Sequence, residues 1–224
     1  MTLGAPRLHL RVTDSTSERA KALARDAPHG LLVTAGEQTA GHGRQGRSWS
    51  APAGEGLLMS LVLREWPGML PLAAAVAVAE TAGPDARIKW PNDVLVADRK
   101  VAGILIEVRP AEGWAVLGIG VNVAVREFPA ELRDIAGSLG REPRDVEPFL
   151  GSLLGALERW LTADAAAVIE AWSARDALRG REISWNGGSG TAEGVDADGR
   201  LLVREAGGEV VVLDAGEVHL GRLG

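Results

Sequence analysis

Two short segments carry side chains suited to chemistry at an anion. Residues Gly41–Trp49 form a glycine-punctuated run that holds two arginines, a histidine and no acid. Lys89 stands directly before Trp90-Pro91, and Asn92 and Asp93 follow. Glycines let backbone N–H groups approach an anion closely, and arginine donates paired hydrogen bonds to its oxygens. Together the two segments predict an anion cradle with an added point charge, as chemistry at a nucleotide phosphate requires.

Lysine is rare in this chain. Lys21, Lys89 and Lys100 are the only three, and arginine supplies nearly every other positive charge. An ammonium is a compact charge that fits where a forked guanidinium does not, so a lysine at position 89 indicates that a compact positive charge is required there. The ordinary alternative is a solvated lysine at a strand end. Pro91 argues against that alternative, because it makes a rigid corner beside Lys89. Lys100, at a predicted hairpin tip, is expected to be solvated or structural.

Other polar positions admit two interpretations each. The segment with Arg44 and Arg47 is either a cradle or a disordered surface loop. Trp49, taken alone, would more often belong to a core than stack on a ligand. Asn122 lies in an otherwise apolar strand and needs partners, which are either neighbouring backbone groups or a ligand. Gln38 either contacts an amide or ureido group of a ligand or caps a turn.

The composition excludes several classes of protein. The 224 residues are enough for one good-sized domain and a small one, and 46% are apolar. The net charge of −6 gives no overall basic surface for nucleic acid. Without cysteine there is neither a disulfide framework nor a thiol nucleophile. Residues 1–10 lack a signal-peptide core, and the apolar stretch Leu70–Ala79 is too short to cross a bilayer. We therefore expect a cytoplasmic protein without a membrane partner.

The first part of the chain alternates strand and helix patterns. Strands are predicted at Leu8–Val12, Gly30–Glu37, Leu57–Leu63, Arg87–Lys89, Val94–Val96, Val101–Val108 and Trp114–Val123. Helices are predicted at Glu18–Arg25 (capped from Asp14–Ser17), Pro71–Ala82, Val146–Leu161 and Ala165–Ala174. The polar stretch Arg126–Arg144 is predicted to be a mobile connection. Adjacent strands mixed with helices predict an α+β fold with a mixed or antiparallel sheet.

After Leu178–Gly180 the pattern changes to short strands. They are predicted at Glu182–Trp185, Gly190–Val195, Leu201–Glu205 and Val210–Leu213. Hairpin turn signals separate them at Asn186-Gly187, Asp198-Gly199 and Gly207-Gly208. The pattern indicates a small β-barrel-like domain, so we divide the chain into domains of residues 1–175 and 176–224.

Several motifs, taken in order, resemble those of biotin protein ligases. Gly41–Trp49 (GHGRQGRSW) is similar to the GRGRxGRxW loop of that family, and Lys89–Asp93 is its KWPND run. Further similarities are Asp14–Ser17 to DSTN, Arg99–Leu105 to RKxAGIL, Gly118–Asn122 to GxGxN and Gly216–Val218 to a late GE(V/I) turn. Each motif alone is weak, whereas their conjunction is specific and covers both predicted domains.

The resemblance implies a class II synthetase-like catalytic domain followed by an SH3-like β-barrel. It implies that ATP and biotin first form biotinoyl-adenylate and pyrophosphate. A lysine of a biotin carboxyl carrier protein, a subunit of acetyl-CoA carboxylase, would then attack the mixed anhydride. Mg²⁺ would bridge the ATP phosphates, which suits a sequence without an all-protein metal cage. Segments Thr39–Gly56 and Arg126–Ala136 would close over the intermediate and keep water away.

The resemblance also assigns roles to single residues. Lys89, Arg44 and Arg47 would be catalytic, because they offset charge repulsion when a carboxylate attacks the α-phosphorus. Biotin would contact Ser15, Thr16, Gln38, His42, Gly43, Arg44 and Lys89. The nucleotide would contact Arg47, Trp49, Lys89, Asn92 and Asn122. Ser17 and Gly41 complete the predicted binding set, and no side chain is predicted to be a dedicated metal ligand.

Three positions depart from the family pattern. His42 replaces the first loop arginine, which would make an anion contact there weaker or dependent on pH. Ser17 replaces an asparagine. Gly221 stands where an arginine usually follows the late turn, with Arg222 next, and this bears on a C-terminal contact to the nucleotide.

Three rival functions fit part of the pattern. A lipoate or octanoate transferase shares the catalytic fold, but its thiol-dependent forms need a cysteine and its lysine-based forms lack this arginine pattern. A DNA-binding repressor would need a helix-turn-helix, for which the sequence before Asp14 has no room, so no sequence-specific DNA partner is expected. A non-catalytic biotin-binding module would not need Lys89 and the loop arginines. A homodimer is left open.

Overall fold

The computed structural model describes residues 2–214 and 216–220 and contains a seven-stranded mixed sheet. Its strands are β1 (Arg7–Thr13), β2 (Leu32–Gln38), β3 (Gly56–Leu63), β4 (Arg87–Lys89), β5 (Asp93–Val96), β6 (Arg99–Arg109) and β7 (Trp114–Asn122). Their order is β1-β2-β3-β7-β6-β5-β4. β1 is parallel to β2, and every other neighbouring pair is antiparallel. The mixed α+β fold predicted from the sequence is confirmed.

Helix α1 (Thr16–Ala24) is the crossover between the parallel strands β1 and β2. The Ser15 side chain caps its start by accepting a hydrogen bond from the Glu18 backbone N–H. Ala20 and Ala24 pack against Val33 and other apolar residues on one face of the sheet. Because alanine side chains are short, the helix lies close to the sheet and its N-terminus is fixed beside the end of β2.

Three helices cover the other face: α2 (Leu70–Ala82), α3 (Val146–Thr162) and α4 (Ala165–Ser173). Every residue of α2 from Leu72 to Ala79 is buried, because α2 lies between the sheet and the other two helices. Its last turn has no basic residue, but two arginines from elsewhere reach its C-terminal carbonyls. Arg141 Nη2 lies 3.1 Å from Thr81 O, and Arg175 Nη1 lies 3.0 Å from Gly83 O. These positive charges interact favourably with the negative end of the helix dipole.

The C-terminal part folds as a second, antiparallel sheet of five strands. They are β8 (Glu182–Trp185), β9 (Gly188–Val195), β10 (Leu201–Arg204), β11 (Val210–Leu213) and β12 (Val218–Leu220), in the order β11-β10-β9-β8-β12. The predicted barrel is not closed, since no ladder joins β11 to β12 within the described residues. The link from Leu213 to Val218 spans at most about 17 Å. The edges of a flat five-stranded sheet are about 19 Å apart, so this sheet must curl even without closing.

The second sheet is joined to the edge of the first. Ile88 N donates to Arg175 O at 2.7 Å, and Ala177 N donates to Ile88 O at 2.9 Å, so the chain after α4 extends the β4 edge. Trp90 Nε1 also donates to Gly199 O at 3.2 Å in the buried interface. The predicted boundary between residues 175 and 176 falls within this pairing and stays a prediction.

Most predicted elements agree with the structure to within two residues at each end, and two regions differ. β12 was not predicted. The predicted mobile connection Arg126–Arg144 is partly fixed: Lys100 N donates to Ile135 O and Gly137 N donates to Lys100 O, both at 2.8 Å. None of the helices in the described part is long and apolar enough to cross a membrane.

Candidate active site

A cleft of about 970 Å³ opens beside the carboxyl end of β2. The cleft is lined by the start of α1, the loop after β2, parts of β3 and β5–β7, the corner after β4, the segment from Phe128 to Ala136, and residues 216–220. Both sheets therefore contribute walls.

At one end of the cleft, hydroxyl groups from α1 and β3 form a connected network. Gln38 Oε1 accepts hydrogen bonds from Thr16 N (2.7 Å) and Thr16 Oγ1 (3.0 Å). Ser60 Oγ donates to Thr16 Oγ1 at 2.9 Å and lies 3.0 Å from Ser17 Oγ. Thr16, Ser17 and Ser60 are buried. Gly118 on β7 makes room, because a Cβ there would lie 2.6 Å from Ser17 Oγ. This end can bind an uncharged polar group at preset positions.

The loop after β2 folds back on itself and presents its two arginines. His42 and Ser48 form an antiparallel bridge, and Gly43 N donates to Arg47 O at 2.6 Å. Arg44 Nη1 donates to Asn92 Oδ1 at 3.3 Å, and Asn92 Nδ2 donates to Ile104 O at 2.8 Å. The corner after β4 thus holds Arg44 in place. His42 lies with Nε2 4.0 Å from Glu18 Oε1.

Arg47 reaches across to the C-terminal part of the chain. Its guanidinium forms an ion pair with Glu217, and 59% of the Arg47 side chain is exposed. Burial raises the pKa of Glu217, but the hydrogen bond and charge of Arg47 outweigh it, so that the pKa is lowered overall. The contact links the loop to the segment before β12.

Trp49 lies flat on the sheet where two glycines face each other. Gly103 on β6 pairs with Gly120 on β7, and a Cβ at Gly120 would clash with Trp49 Nε1. Trp49 Nε1 is buried and has no hydrogen-bond partner in the described part. The Lys100 ammonium lies 5.5 Å from the centre of the Trp49 ring. Lys100 Nζ also lies 2.7 Å from Asp93 Oδ1, in an ion pair that is not aligned as a hydrogen bond.

Lys89 ends β4 at the cis Trp90-Pro91 bond and lines the cleft. Burial lowers the pKa of Lys89; Asp93 and Glu217 oppose the shift, and Lys100 and Arg47 add to it. These four charges act on Lys89 through space, without a side-chain hydrogen bond to it among the described residues. An unpaired, partly desolvated ammonium is available for an incoming anion.

The structure brings nearly all the predicted site residues together. Lining the cleft are Ser15, Thr16, Ser17, Gln38, His42, Gly43, Arg44, Arg47, Trp49, Lys89, Asn92 and Asn122. Gly41 lies instead at the base of the loop, where a Cβ would clash with Trp49 O. Gln38 and Asn122 each bond the protein and also line the cleft, so a ligand contact by either residue stays a prediction. Asn122 Nδ2 donates to Gly137 O at 2.9 Å.

Three of the charged cleft residues that act on Lys89 were missing from the predicted site. Lys100 was expected to be solvated or structural, but it lines the cleft, because β6 begins one residue before it and carries it inward. Asp93 and Glu217 also line the cleft. Their signal was present in the KWPND run and the late GE(V/I) turn. Within the described residues no group of three or more His, Asp or Glu side chains could hold a metal. Gly221 and Arg222 lie outside the described residues.

Two protein-family models match the parts of the chain that form this site. A model of the biotin/lipoate A/B protein ligase family matches residues 9–123, and a model of the biotin protein ligase C-terminal domain matches residues 180–221. This chain belongs to the biotin/lipoate A/B protein ligase family. The first match contains the α1 network, the loop and the Lys89 corner, and the second contains Glu217.

Individual relatives agree with the family assignment. The biotin--[acetyl-CoA-carboxylase] ligase of Paracoccus denitrificans is 38% identical over 93% of this chain and 98% of its own length. The bifunctional ligase/repressor BirA of Bacillus subtilis is 42% identical over 62% of this chain, and the match spans about half (47%) of that protein. The biotin protein ligase from Aquifex aeolicus, solved with biotin and ATP, has a TM-score of 0.85 and 29% identity. The match covers 97% of this chain and 99% of that one.

Proposed function

We propose that this protein attaches biotin to a lysine of a biotin carboxyl carrier protein, the acetyl-CoA carboxylase subunit, through biotinoyl-5′-AMP and at the expense of ATP. One observation carries the proposal: a single cleft joins a buried hydroxyl network at one end to Lys89, Arg44 and Arg47 at the other. The first end suits an uncharged polar ring, and the second suits phosphates. Relatives that span this chain carry the corresponding name.

In the first step a biotin carboxylate oxygen attacks the α-phosphorus of ATP. The new P–O bond forms as the bond to the β-phosphate oxygen breaks, and pyrophosphate leaves. Two anions must approach each other, so positive charge placed beforehand lowers the barrier. Lys89 would act at the α-phosphate. Arg44, held by Asn92, would act near the carboxylate, and Arg47 would act nearer the departing phosphates once it leaves Glu217.

The biotin end would work by fixed hydrogen bonds. The bicyclic ring of biotin carries no charge, and hydroxyl and amide groups at preset positions recognise such a ring without burying an ion. Ser15, Thr16, Ser17 and Gln38 offer these groups, and His42 and Gly43 border the same end. Since the network already satisfies its own members, little reorganisation is needed when the ring enters.

The nucleotide end would work by stacking and by amide contacts. The Trp49 ring, supported by two glycines, offers a flat apolar face to a base, and the Lys100 ammonium adds a charge over that ring. Asn122 is held by Gly137 and can use its remaining polar groups for the base. Asn92 would steady the phosphate side through Arg44.

Mg²⁺ fits the donor set of this cleft. Mg²⁺ at a nucleotide usually takes phosphate oxygens and waters plus one or two carboxylates rather than a protein cage. Glu217 is a carboxylate close enough to Lys89 to influence its pKa, and once Arg47 leaves it, it would be the protein contribution. When bound, Mg²⁺ neutralises charge on the triphosphate.

In the second step the amine of the carrier lysine attacks the acyl carbon of the adenylate. The C–N bond forms, the C–O bond to phosphate breaks, AMP leaves and the amine loses a proton.

Two expectations from the sequence stay predictions: that the protein binds no sequence-specific DNA and that it is cytoplasmic. The sequence favours neither a monomer nor a homodimer.

The test is an intact mass spectrum of a biotin carboxyl carrier domain after incubation with the protein, ATP, Mg²⁺ and biotin. The expected result is one biotinoyl group on one lysine. Reactions without ATP, or with a carrier whose target lysine is replaced by arginine, serve as controls. Parallel reactions contain lipoate or octanoate in place of biotin. Modification by these acids and none by biotin would overturn the assignment in favour of the lipoate or octanoate alternative.

A further inference from the structure

The amine of Lys21 is occupied by carboxylates. Its Nζ lies 2.7 Å from Glu18 Oε1 and 2.8 Å from Glu107 Oε1, and 22% of the side chain is exposed. Burial disfavours the ammonium, but the hydrogen bonds to Glu107 and Glu18 outweigh it and raise the pKa of Lys21. Lys21 does not line the cleft. Its amine is therefore neither free nor close to an intermediate bound there.

The other two lysines line the cleft. Lys100 is paired with Asp93 and lies over Trp49. Lys89 has no such pair, and burial lowers its pKa, which by itself favours the nucleophilic free amine. In the proposed complex, however, Lys89 faces a phosphate, and an opposite charge nearby favours the ammonium. An ammonium has no lone pair with which to attack an acyl group.

Apart from the histidines, the other basic side chains of the cleft and its rim in the described part of the chain are arginines. Arg44 and Arg47 line the cleft. Arg133 lies in the bordering segment and Arg126 lies just before it, and both are exposed. A guanidinium stays protonated in proteins and has only donors, so it binds an anion but does not attack an acyl group. The chain thus places positive charge around the cleft without placing free amines there.

From this arrangement, and resting on the proposed function, we infer that the cleft keeps the protein's own lysines from reacting with its acyl-adenylate. A carrier lysine is then the first free lysine amine that the intermediate meets. The suppressed reaction is the same acyl transfer: a C–N bond forms, the C–O bond to phosphate breaks, AMP leaves and a proton passes to water. Lys21 and Lys100 do not react because each is paired with carboxylates. Lys89 does not react because it contacts the phosphate as an ammonium, and the arginines around the cleft are not nucleophiles.

The inference predicts that a free lysine introduced at the rim becomes a target. Glu131→Lys and Asp134→Lys place one at positions that line the cleft mouth. Glu209→Lys makes the same change of charge at an exposed turn between β10 and β11 and is the matched control. A tethered amine at the rim has an effective concentration on the order of millimolar, so rim variants should be acylated at least about tenfold faster than the control.

The experiment uses the full chain with ATP, Mg²⁺ and biotin but no carrier, followed by peptide mass spectrometry, with pyrophosphate release measured in parallel. The expected result is no biotinoyl group on Lys21, Lys89 or Lys100 of the unchanged protein, and one on the new lysine of either rim variant. Biotin-dependent pyrophosphate release shows in each variant that the site is intact. Two rim variants are used so that one remains informative if the other does not fold.

The possible failures are distinguishable. If pyrophosphate release does not depend on biotin, the proposed function fails, and the inference fails with it. If release is normal but the unchanged protein acylates its own lysines, the inference alone is wrong. It is also wrong if both rim lysines stay unmodified, or if the distal lysine is modified as fast as they are.

Discussion

At the α1 end of the cleft the polar side chains hydrogen-bond to one another. At the Lys89 end one cation is exposed and ion-paired, and another has no partner. Thr16, Ser17 and Ser60 are buried and joined by hydrogen bonds of 2.9–3.0 Å. Arg47 is largely exposed and held by a carboxylate of the C-terminal segment, and Lys89 has no hydrogen-bond partner among the described side chains.

The difference teaches how one cleft can hold two unlike substrates. A neutral ring gains from a rigid network, because misplaced buried polar groups cost binding energy. A charged nucleotide gains from cations that are kept without strong internal partners, since each internal ion pair must be broken before the ligand is bound. Substitutions at the first end should therefore affect folding as well as binding, whereas substitutions at the second end should affect mainly the rate and have little effect on folding.

The largest expected effect is that of Lys89→Ala. If Lys89 stabilises charge at the α-phosphate, adenylation should slow by roughly 10²–10³, the scale for losing one pre-placed donor. Single-turnover pyrophosphate release measures this rate. Stability should not fall: the folded-state pKa of Lys89 lies below its ordinary 10.5, so at lower pH the charged side chain opposes folding, and alanine removes that penalty.

Two comparisons sharpen the Lys89 prediction. Lys89→Arg should also be slow, because a planar fork does not replace a point charge in a tight site. Transfer from ready-made adenylate should suffer less in both variants, since pyrophosphate no longer has to leave. Normal adenylation by a folded Lys89→Ala protein would show that the cationic end does not depend on this residue.

Thr16→Val tests the rigid end and should have the next largest effect. Valine keeps the shape of threonine but removes the hydroxyl that accepts from Ser60 and donates to Gln38. An unsatisfied buried group costs about 1–3 kcal/mol, so biotin should bind roughly tenfold more weakly. Unlike Lys89→Ala, this variant should also melt at a lower temperature. Calorimetric titration and thermal melts measure the two effects, and unchanged values in both would contradict a preformed network.

The pH dependence of adenylation tests the charges around Lys89. Lys89 acts as an ammonium, and burial lowers its pKa in the free protein, so kcat/KM for adenylation should fall at alkaline pH below 10.5. Asp93→Asn removes a carboxylate that raises the pKa of Lys89, so the alkaline fall should move to lower pH. Asp134→Asn is the matched control, since Asp134 lines the cleft but is not among the charges that shift Lys89. Identical profiles for both variants would refute the assignment of this limb to Lys89.

The smallest expected effect is that of Glu217→Gln. This change removes the ion pair that holds Arg47 in the free protein. Exposed pairs contribute at most about 1 kcal/mol, so amide exchange in residues 39–56 should rise by no more than about fivefold without ligand. With biotinoyl-adenylate bound, exchange should be slow in both proteins. Equal, strong protection of the free loop in both would indicate that the cationic end is as preformed as the other.

Local sequence patterns were sufficient for most of the fold. β4, β8 and β11 begin and end at the predicted residues, because proline, glycine and asparagine turns bound them. β12 was missed. The barrel was expected both from the pattern of short strands and turns and from the resemblance, whereas the described strands show no pairing of β11 with β12.

The sequence by itself determined which chemical groups are available: glycines for close approach, arginines for phosphate, a lysine at a proline corner, and no thiol. Tertiary structure decided which of them meet. Glu217 and Arg47 are far apart in the chain, yet they pair across the cleft. Lys100 faces inward only because β6 pairs with β5 and β7 in this register. A charge acts over distances of a few ångströms, and pairing register and packing, rather than composition, set those distances.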